Sequence, residues 1–232
     1  MSPGPREGTY EGLLGIEMNT RPGAYSIKVV AEEKNGIVYS STIRLKVGKA
    51  KFQTQTLSLP PSMVDLAPEV LERVNREAER MRALFSSIRE ERFWNGAFVR
   101  PVPGEVTGAF GVRRIVNGRP RSPHSGIDMR AEEGAAVLAC NRGVVALTDE
   151  LFFSGKSVIL DHGRSMYSMY FHLSETLVHE GASVDTSVML GRVGSTGRST
   201  GPHLHWGLRL NGVQVNPLSI LQLTQHLKEG SP

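Results

Sequence analysis

Two of the chain's seven histidines stand one residue apart in the stretch GPHLHW, residues 201–206. On an extended strand, residues i and i+2 leave the same face, about 6–7 Å apart at the backbone. His203 and His205 are therefore expected to present two imidazoles to a common groove while Leu204 and Trp206 face a core. A single zinc ion could take both rings. Alternatively, one ring could bind the ion while the other reaches over its open coordination position. A polar strand that merely displays two imidazoles is the plainer reading of the same six residues.

A histidine and a carboxylate stand four residues apart in HSGID, His124 to Asp128. Pro123, Gly126 and the lack of helical periodicity place them on a loop entering a strand. Residues i and i+4 share a face on a strand as on a helix, so both geometries let the pair converge. Imidazole and carboxylate suit zinc, and three protein ligands with a fourth position open is the catalytic arrangement rather than the structural one. Such an ion brings the pKa of a bound water near 7 and polarises a carbonyl. His172, in YFHLSE, is a further candidate. Neither His-x-His nor His-x-x-x-Asp is specific by itself; their joint presence in one glycine-punctuated region is what points to a metal site.

Other reactive side chains read as structural. His162 and Asp161 lie in the tight turn of VILDHG, where an aspartate caps the turn. His179 and His226 have no companion motif and read as surface residues. Cys140, the sole cysteine, sits in the apolar run VLACNRGVV as a small buried hydrophobe and excludes an intramolecular disulfide. Gly194, Gly197 and Gly201 permit a tight loop walling the cleft. No helix start follows that loop, which argues against a phosphate cradle. Arg113 is placed either to hydrogen-bond near the groove or to form a structural salt bridge.

The elements that must position these residues are mainly β. From residue 100 to 220, short apolar runs are broken by glycine at close intervals, as in a compact all-β domain. Residues 1–50 read as a small β-sandwich-like domain, marginal alone at that size, which packs on the rest or lacks an upstream strand. Within it, two alternating runs are joined by Asn35-Gly36, a hairpin signal. Tyr25, Ile27 and Val29 share one face; Val38 and then, after a shift, Ile43, Leu45 and Val47 share the other run's. Residues 51–99 read as a connector followed by a helical spacer or brace. Val70, Leu71, Val74, Ala78, Met81, Leu84, Phe85 and Ile88 recur at helical spacing, with Ser62 or Asp65 as cap and i,i+4 pairs Glu72–Arg76 and Arg73–Glu77. Residues 221–232 read as a tail.

Composition narrows the function classes. The apolar fraction of 39% in 232 residues is enough for a core, and no run of about 18 apolar residues offers a membrane span. Residues 1–9 have neither the basic nor the apolar region of a secretory leader, so any leader or anchor is expected to be missing from the given chain. A scattered net charge of +4 suits work near an anionic partner such as nucleic acid, an acidic cell wall or a membrane surface, and equally suits simple solubility. Aromatics at 6% and dispersed arginines speak against nucleic acid.

Residues 100–218, about half the chain, closely resemble the lysostaphin-like (LytM-type) zinc endopeptidases of bacterial cell walls. The matching stretches are FGVRR at 110–114, HSGIDMRAEEGAAVLA at 124–139, GVV at 143–145, VILDHG at 158–163, YFHLSE at 170–175, the GASV and LGRVG turns, and VGSTGRSTGPHLHWGLRLNG at 193–212. SGKSVIL departs from the family's usual tyrosine-glycine approach to the central strand. The resemblance implies a mostly antiparallel β-sheet groove and the cutting of peptide bonds in peptidoglycan. It implies one Zn2+ per chain, with His124, Asp128 and His205 as ligands. It implies that His203 and His172 face the water on the metal, one as general base and one as stabiliser of the oxyanion, with His203 favoured as base. A periplasmic or envelope location follows, with peripheral association as an option. The basic loop at 113–123 is placed to meet the acidic polymer or to shield the metal. The N-terminal half is placed to bind wall material, to hold the enzyme inactive or to brace the fold. Relatives of this kind whose ligands have decayed act as non-catalytic regulators of wall amidases; a full ligand set discriminates against that alternative.

Overall fold

The computed structural model describes residues 2–3, 10–33, 35–58, 66–87 and 89–225. Ser62, Asp65, Ile88 and His226 lie outside the described residues. The elements in chain order are β1 (Ser2–Pro3), β2 (Tyr10–Glu11), β3 (Gly23–Glu32), β4 (Val38–Val47), β5 (Thr54–Leu57), α1 (Pro68–Ser86), β6 (Val106–Gly108), β7 (Arg113–Val116) and β8 (Arg119–Arg121). There follow β9 (Gly126–Arg130), β10 (Ala136–Leu138), β11 (Gly143–Leu151), β12 (Gly155–Gly163), β13 (Met166–Thr176), β14 (Ser183–Val184), β15 (Met189–Val193), β16 (His203–Leu210), β17 (Val213–Val215) and α2 (Pro217–Thr224).

The protein is mainly β and is built on one antiparallel sheet, whose main path runs β14-β11-β12-β13-β16-β9-β6. Strand alternation sorts each strand's residues between the core and the groove. On β16, Leu204, Trp206 and Leu208 are buried in the core, and on β9 Ile127 and Met129 are buried with them. The intervening His203, His205 and Asp128 therefore face the other way. The core also takes Trp94, Phe98 and Val102 from the stretch after α1. It takes Ile220 from α2, a short helix following the last strand. Asn216 caps α2, its side chain accepting from Leu218 N at 3.1 Å.

Helix α1 braces the face of the sheet that also carries His203 and His205, opposite the main core. Met81, Leu84 and Phe85 pack on Leu147, Ile159, Tyr167 and Met169. Arg80 pairs with Asp149 and with Glu180, and Glu77 accepts from Phe152 N. Arg73–Glu77 closes at 2.7 Å and Glu72–Arg76 stands at 3.9 Å, as the i,i+4 spacing anticipates. The helix begins on Ala67 without a side-chain cap, with Pro68 in its first turn.

The N-terminal portion departs in detail from its sequence pattern. Among the described residues, β3 and β4 pair only with each other, as a two-stranded hairpin. Gly36 takes a left-handed φ of 85° and Asn35 Oδ1 accepts from Ile37 N at 3.0 Å, which is the turn chemistry expected of Asn-Gly. The register is continuous, Tyr25 opposite Leu45 and Ile27 opposite Ile43. It is Tyr39, not Val38, that shares the face of Ile43 and Leu45, and no shift occurs. The polar stretch read as a connector holds β5, which runs parallel to β7, with β8 completing a three-stranded sheet. Arg113 N donates to Gln53 O at 2.8 Å. No helix among the described residues is long and apolar enough to cross a membrane.

Candidate metal centre

Three chain segments meet on the groove face of the sheet. The β9–β16 register sets Asp128 directly opposite His205. His124 enters from the loop just ahead of β9, its backbone N–H donating to Val112 O and its O accepting from Gly111 N, both at 2.9 Å. The result is a tight triangle: His124 Nε2 to Asp128 Oδ1 2.9 Å, His205 Nδ1 to Asp128 Oδ1 2.9 Å, and His124 Nε2 to His205 Nδ1 3.0 Å. Two glycines make the approach possible. A Cβ at Gly108 would lie 2.4 Å from Asp128 Oδ2, and one at Gly126 would lie 2.8 Å from His205 Nε2.

The donor chemistry of this triangle fits a divalent cation. His124 Nδ1 donates to Ala109 O at 2.8 Å, so in the neutral ring Nε2 carries the lone pair and aims it at the other two atoms. Burial acts to raise the Asp128 pKa, but hydrogen bonds and charges from His124 and His205 outweigh it and hold the carboxyl well below the usual carboxylate range. An ionised carboxylate is acceptor-only. Burial lowers the pKa of His205, partly offset by its hydrogen bond to Asp128. Two neutral imidazoles and a carboxylate with atoms about 3 Å apart can be spanned by one ion with bonds of about 2.0–2.2 Å.

His203 and His172 stand beside the triangle. His203 Nδ1 donates to Gly201 O at 2.8 Å, which leaves Nε2 facing the groove, 3.6 Å from Asp128 Oδ1. His172 Nδ1 donates to Thr196 O at 2.9 Å, and its ring lies 4.9 Å from that of His203 and 6.1 Å from that of His205. Simple alternation would not put His172 there. β13 carries one extra residue relative to β12 between Tyr170 and Leu173, and His172 takes a left-handed φ of 65° at that bulge. Such bulges re-aim a side chain, and this one turns the ring into the groove. Burial brings His172 down to about 4, against the opposing effect of the Thr196 hydrogen bond. The five histidine and aspartate side chains singled out from the sequence are thus brought together on one face.

The groove next to them encloses about 300 Å³ and is lined by Thr107, Asp128, Arg130, Thr200 and His203 among others. Arg130 was not singled out from the sequence, yet it lies two residues beyond Asp128 on the same strand face and could have been found by that parity. Phe171, stacked on His205 at 5.5 Å, had no sequence signal, because it meets His205 across the β13–β16 pairing.

The remaining side chains take structural places. His162 is fully buried, with Nδ1 donating to Arg142 O at 2.6 Å and Nε2 2.7 Å from Ser168 Oγ, and burial pulls its pKa to about 4. Asp161 caps its turn through Gly163 N at 2.8 Å and pairs with Arg89 at 3.0 Å. Cys140 is buried and its thiol is pushed up to about 11 by burial. His179 is exposed. Arg113 forms neither a groove hydrogen bond nor an ion pair through its side chain among the described residues.

The model of peptidase family M23 matches residues 122–217. Over 136 residues the chain is 36% identical to the DD-carboxypeptidase/endopeptidase Mpg of Neisseria meningitidis, covering 53% of this chain and 31% of that protein. Over 97 residues it is 38% identical to the peptidoglycan DD-endopeptidase ShyA of Vibrio cholerae, covering 42% of this chain and 23% of that protein. The chain thus spans less than a third of the length of these two relatives. A crystal structure of a peptidase M23 from Pseudomonas aeruginosa superposes with a TM-score of 0.71 at 32% identity, covering 90% of this chain and 77% of that one.

Proposed function

We propose, for a chain that belongs to peptidase family M23, that it is a zinc-dependent endopeptidase cutting peptide bonds in the stem peptides or cross-links of peptidoglycan. The single observation that carries this reading is the 2.9–3.0 Å triangle of His124 Nε2, Asp128 Oδ1 and His205 Nδ1 beside the groove-facing Nε2 of His203. His124, Asp128 and His205 would hold the ion. Bound there, zinc supplies a water made acidic near pH 7 and a Lewis acid for the scissile carbonyl.

The chain's own residues do the rest. His203 Nε2 is unprotonated in the neutral ring, because Nδ1 is committed to Gly201 O, so it can accept the proton of the attacking water. The imidazolium so formed can pass that proton to the leaving amine. His172, fixed by Thr196 O, faces the same space and positions or stabilises the reacting oxygen. The backbone acceptors Ala109 O, Gly201 O and Thr196 O fix three ring orientations without further side chains.

Relatives named as peptidoglycan DD-endopeptidases support the substrate class. Peptidoglycan lies outside the cytoplasmic membrane, so the periplasm or cell envelope is the place of action. The reading is tested by metal analysis of the purified protein together with digestion of isolated sacculi. About one zinc per chain and released muropeptides are expected; absence of both would remove it.

A further inference from the structure

Arg114 and Arg121 stand directly opposite one another in the β7–β8 register, so their side chains leave the same face of the hairpin. Directly opposed residues have Cβ atoms about 4.5–5.5 Å apart, and like charges in that position are destabilising. A third arginine approaches from another segment. Arg198 lies on the loop whose Thr196 holds His172, with its guanidinium 4.3 Å over the Phe153 ring. Burial and then the charges of Arg114 and Arg121 lower its pKa, which places all three in one electrostatic neighbourhood.

Among the described residues the three lack anionic partners. Among the described residues, Arg73, Arg80, Arg89, Arg142 and Arg192 each meet an aspartate or glutamate. Arg114, Arg121 and Arg198 meet none, and Arg114 Nε is buried without a hydrogen-bond partner. Two of them lie close along the chain to residues of the site. β8 ends at Arg121, separated from His124 only by Ser122 and Pro123. Arg198 shares its loop with the carbonyls that orient His172 and His203.

We propose that Arg114, Arg121 and Arg198 form a carboxylate-binding subsite at the end of the metal groove, which receives a free carboxylate of the peptide being cut. The assignment rests on the peptidase reading above. Guanidinium groups offer paired, planar donors that match a carboxylate, and a bound carboxylate would relieve the repulsion built into the hairpin. Every free peptide branch ends in such a group. The subsite would therefore sort cleavable peptides by whether that end is free or masked.

The test compares a cross-linked peptide bearing a free C-terminal carboxylate with its C-terminal amide twin, by calorimetric titration of the full chain on a His203→Ala background in which cleavage is slow on the timescale of the titration. The acid should bind about tenfold or more tightly than the amide. Arg121→Gln and Arg198→Gln, both at exposed positions, should each shrink that gap several-fold. The double variant should abolish it, Arg198→Lys should retain part of it, and amide binding should not change; unaltered melting curves confirm folding. Equal binding of acid and amide, undetectable binding of either, or a gap that survives the double variant overturns the proposal. So does stronger competition by inorganic phosphate than by the acid peptide, which would make this a phosphate site. Failure to digest sacculi would instead remove the peptidase reading, and the acid-over-amide gap is read independently of it.

Discussion

Asp128 and His205 are directly opposed across β9 and β16, with Oδ1 and Nδ1 2.9 Å apart, although 77 residues separate them along the chain. Pairing register, not proximity in sequence, makes them one site. Asp128→Asn keeps the shape but replaces an anionic acceptor by an amide. Zinc affinity is expected to fall by more than ~100-fold, beyond the ~10–100-fold typical of losing an outer-shell partner. Competition with a chromophoric chelator measures it.

His203 and His205 sit on one strand face, two residues apart, but are predicted to fail differently. His205→Ala should lose zinc and activity together. His203→Ala should keep close to one zinc per chain while kcat falls by ~10²–10⁴-fold, the usual range for losing a general base. Paired metal analysis and muropeptide release rates separate the two.

Gly108 leaves room for the Asp128 carboxylate, since a Cβ there would lie 2.4 Å from Oδ2. Gly108→Ala should push the carboxylate off the triangle and weaken zinc binding, while far-UV circular dichroism stays native. Unchanged zinc affinity would show that the end of β6, which carries residue 108, yields instead.

His162 is buried neutral, with its pKa lowered from 6.5 to about 4. Below pH 6.5 the unfolded chain takes up a proton that the folded chain refuses, so stability rises with pH between about 4 and 6.5 and is lost as pH falls through that window. Integrated over the window, the loss is on the order of 3 kcal/mol. Urea unfolding of the zinc-free protein at pH 7, 6, 5 and 4 should show a shallower decline for His162→Gln than for the wild type. Parallel declines would place the titrating group elsewhere.

Much of the site was legible because strand parity is a local rule. The alternation through His203, Leu204, His205 and Trp206 assigned two residues to the groove and two to the core, and the buried Leu204 and Trp206 agree. The helical spacing of Met81, Leu84 and Phe85 likewise anticipated a face packed on the sheet. His162 and Asp161 followed from their turn. Two features had no local signal. β5 is polar and earns its strand only by lying parallel to β7, more than fifty residues on. The continuous β3–β4 register was obscured by an apolar pattern that suggested a shift. The short α2 did carry a local start signal, Asn216 followed by Pro217, which the strand pattern around it overshadowed; the burial of Ile220 against the core gives it its inner face.

The sequence by itself determined which side chains are available for chemistry and which neighbours must share a face, since residue type and strand period are properties of a few consecutive residues. Only the tertiary structure decided that His124, Asp128 and His205 close to 3.0 Å or less. It alone turned His172 into their groove through a bulge at φ 65°. Those outcomes depend on hydrogen-bond register between strands far apart in the chain, and register is fixed by the packing of the whole sheet on its core rather than by any segment read alone.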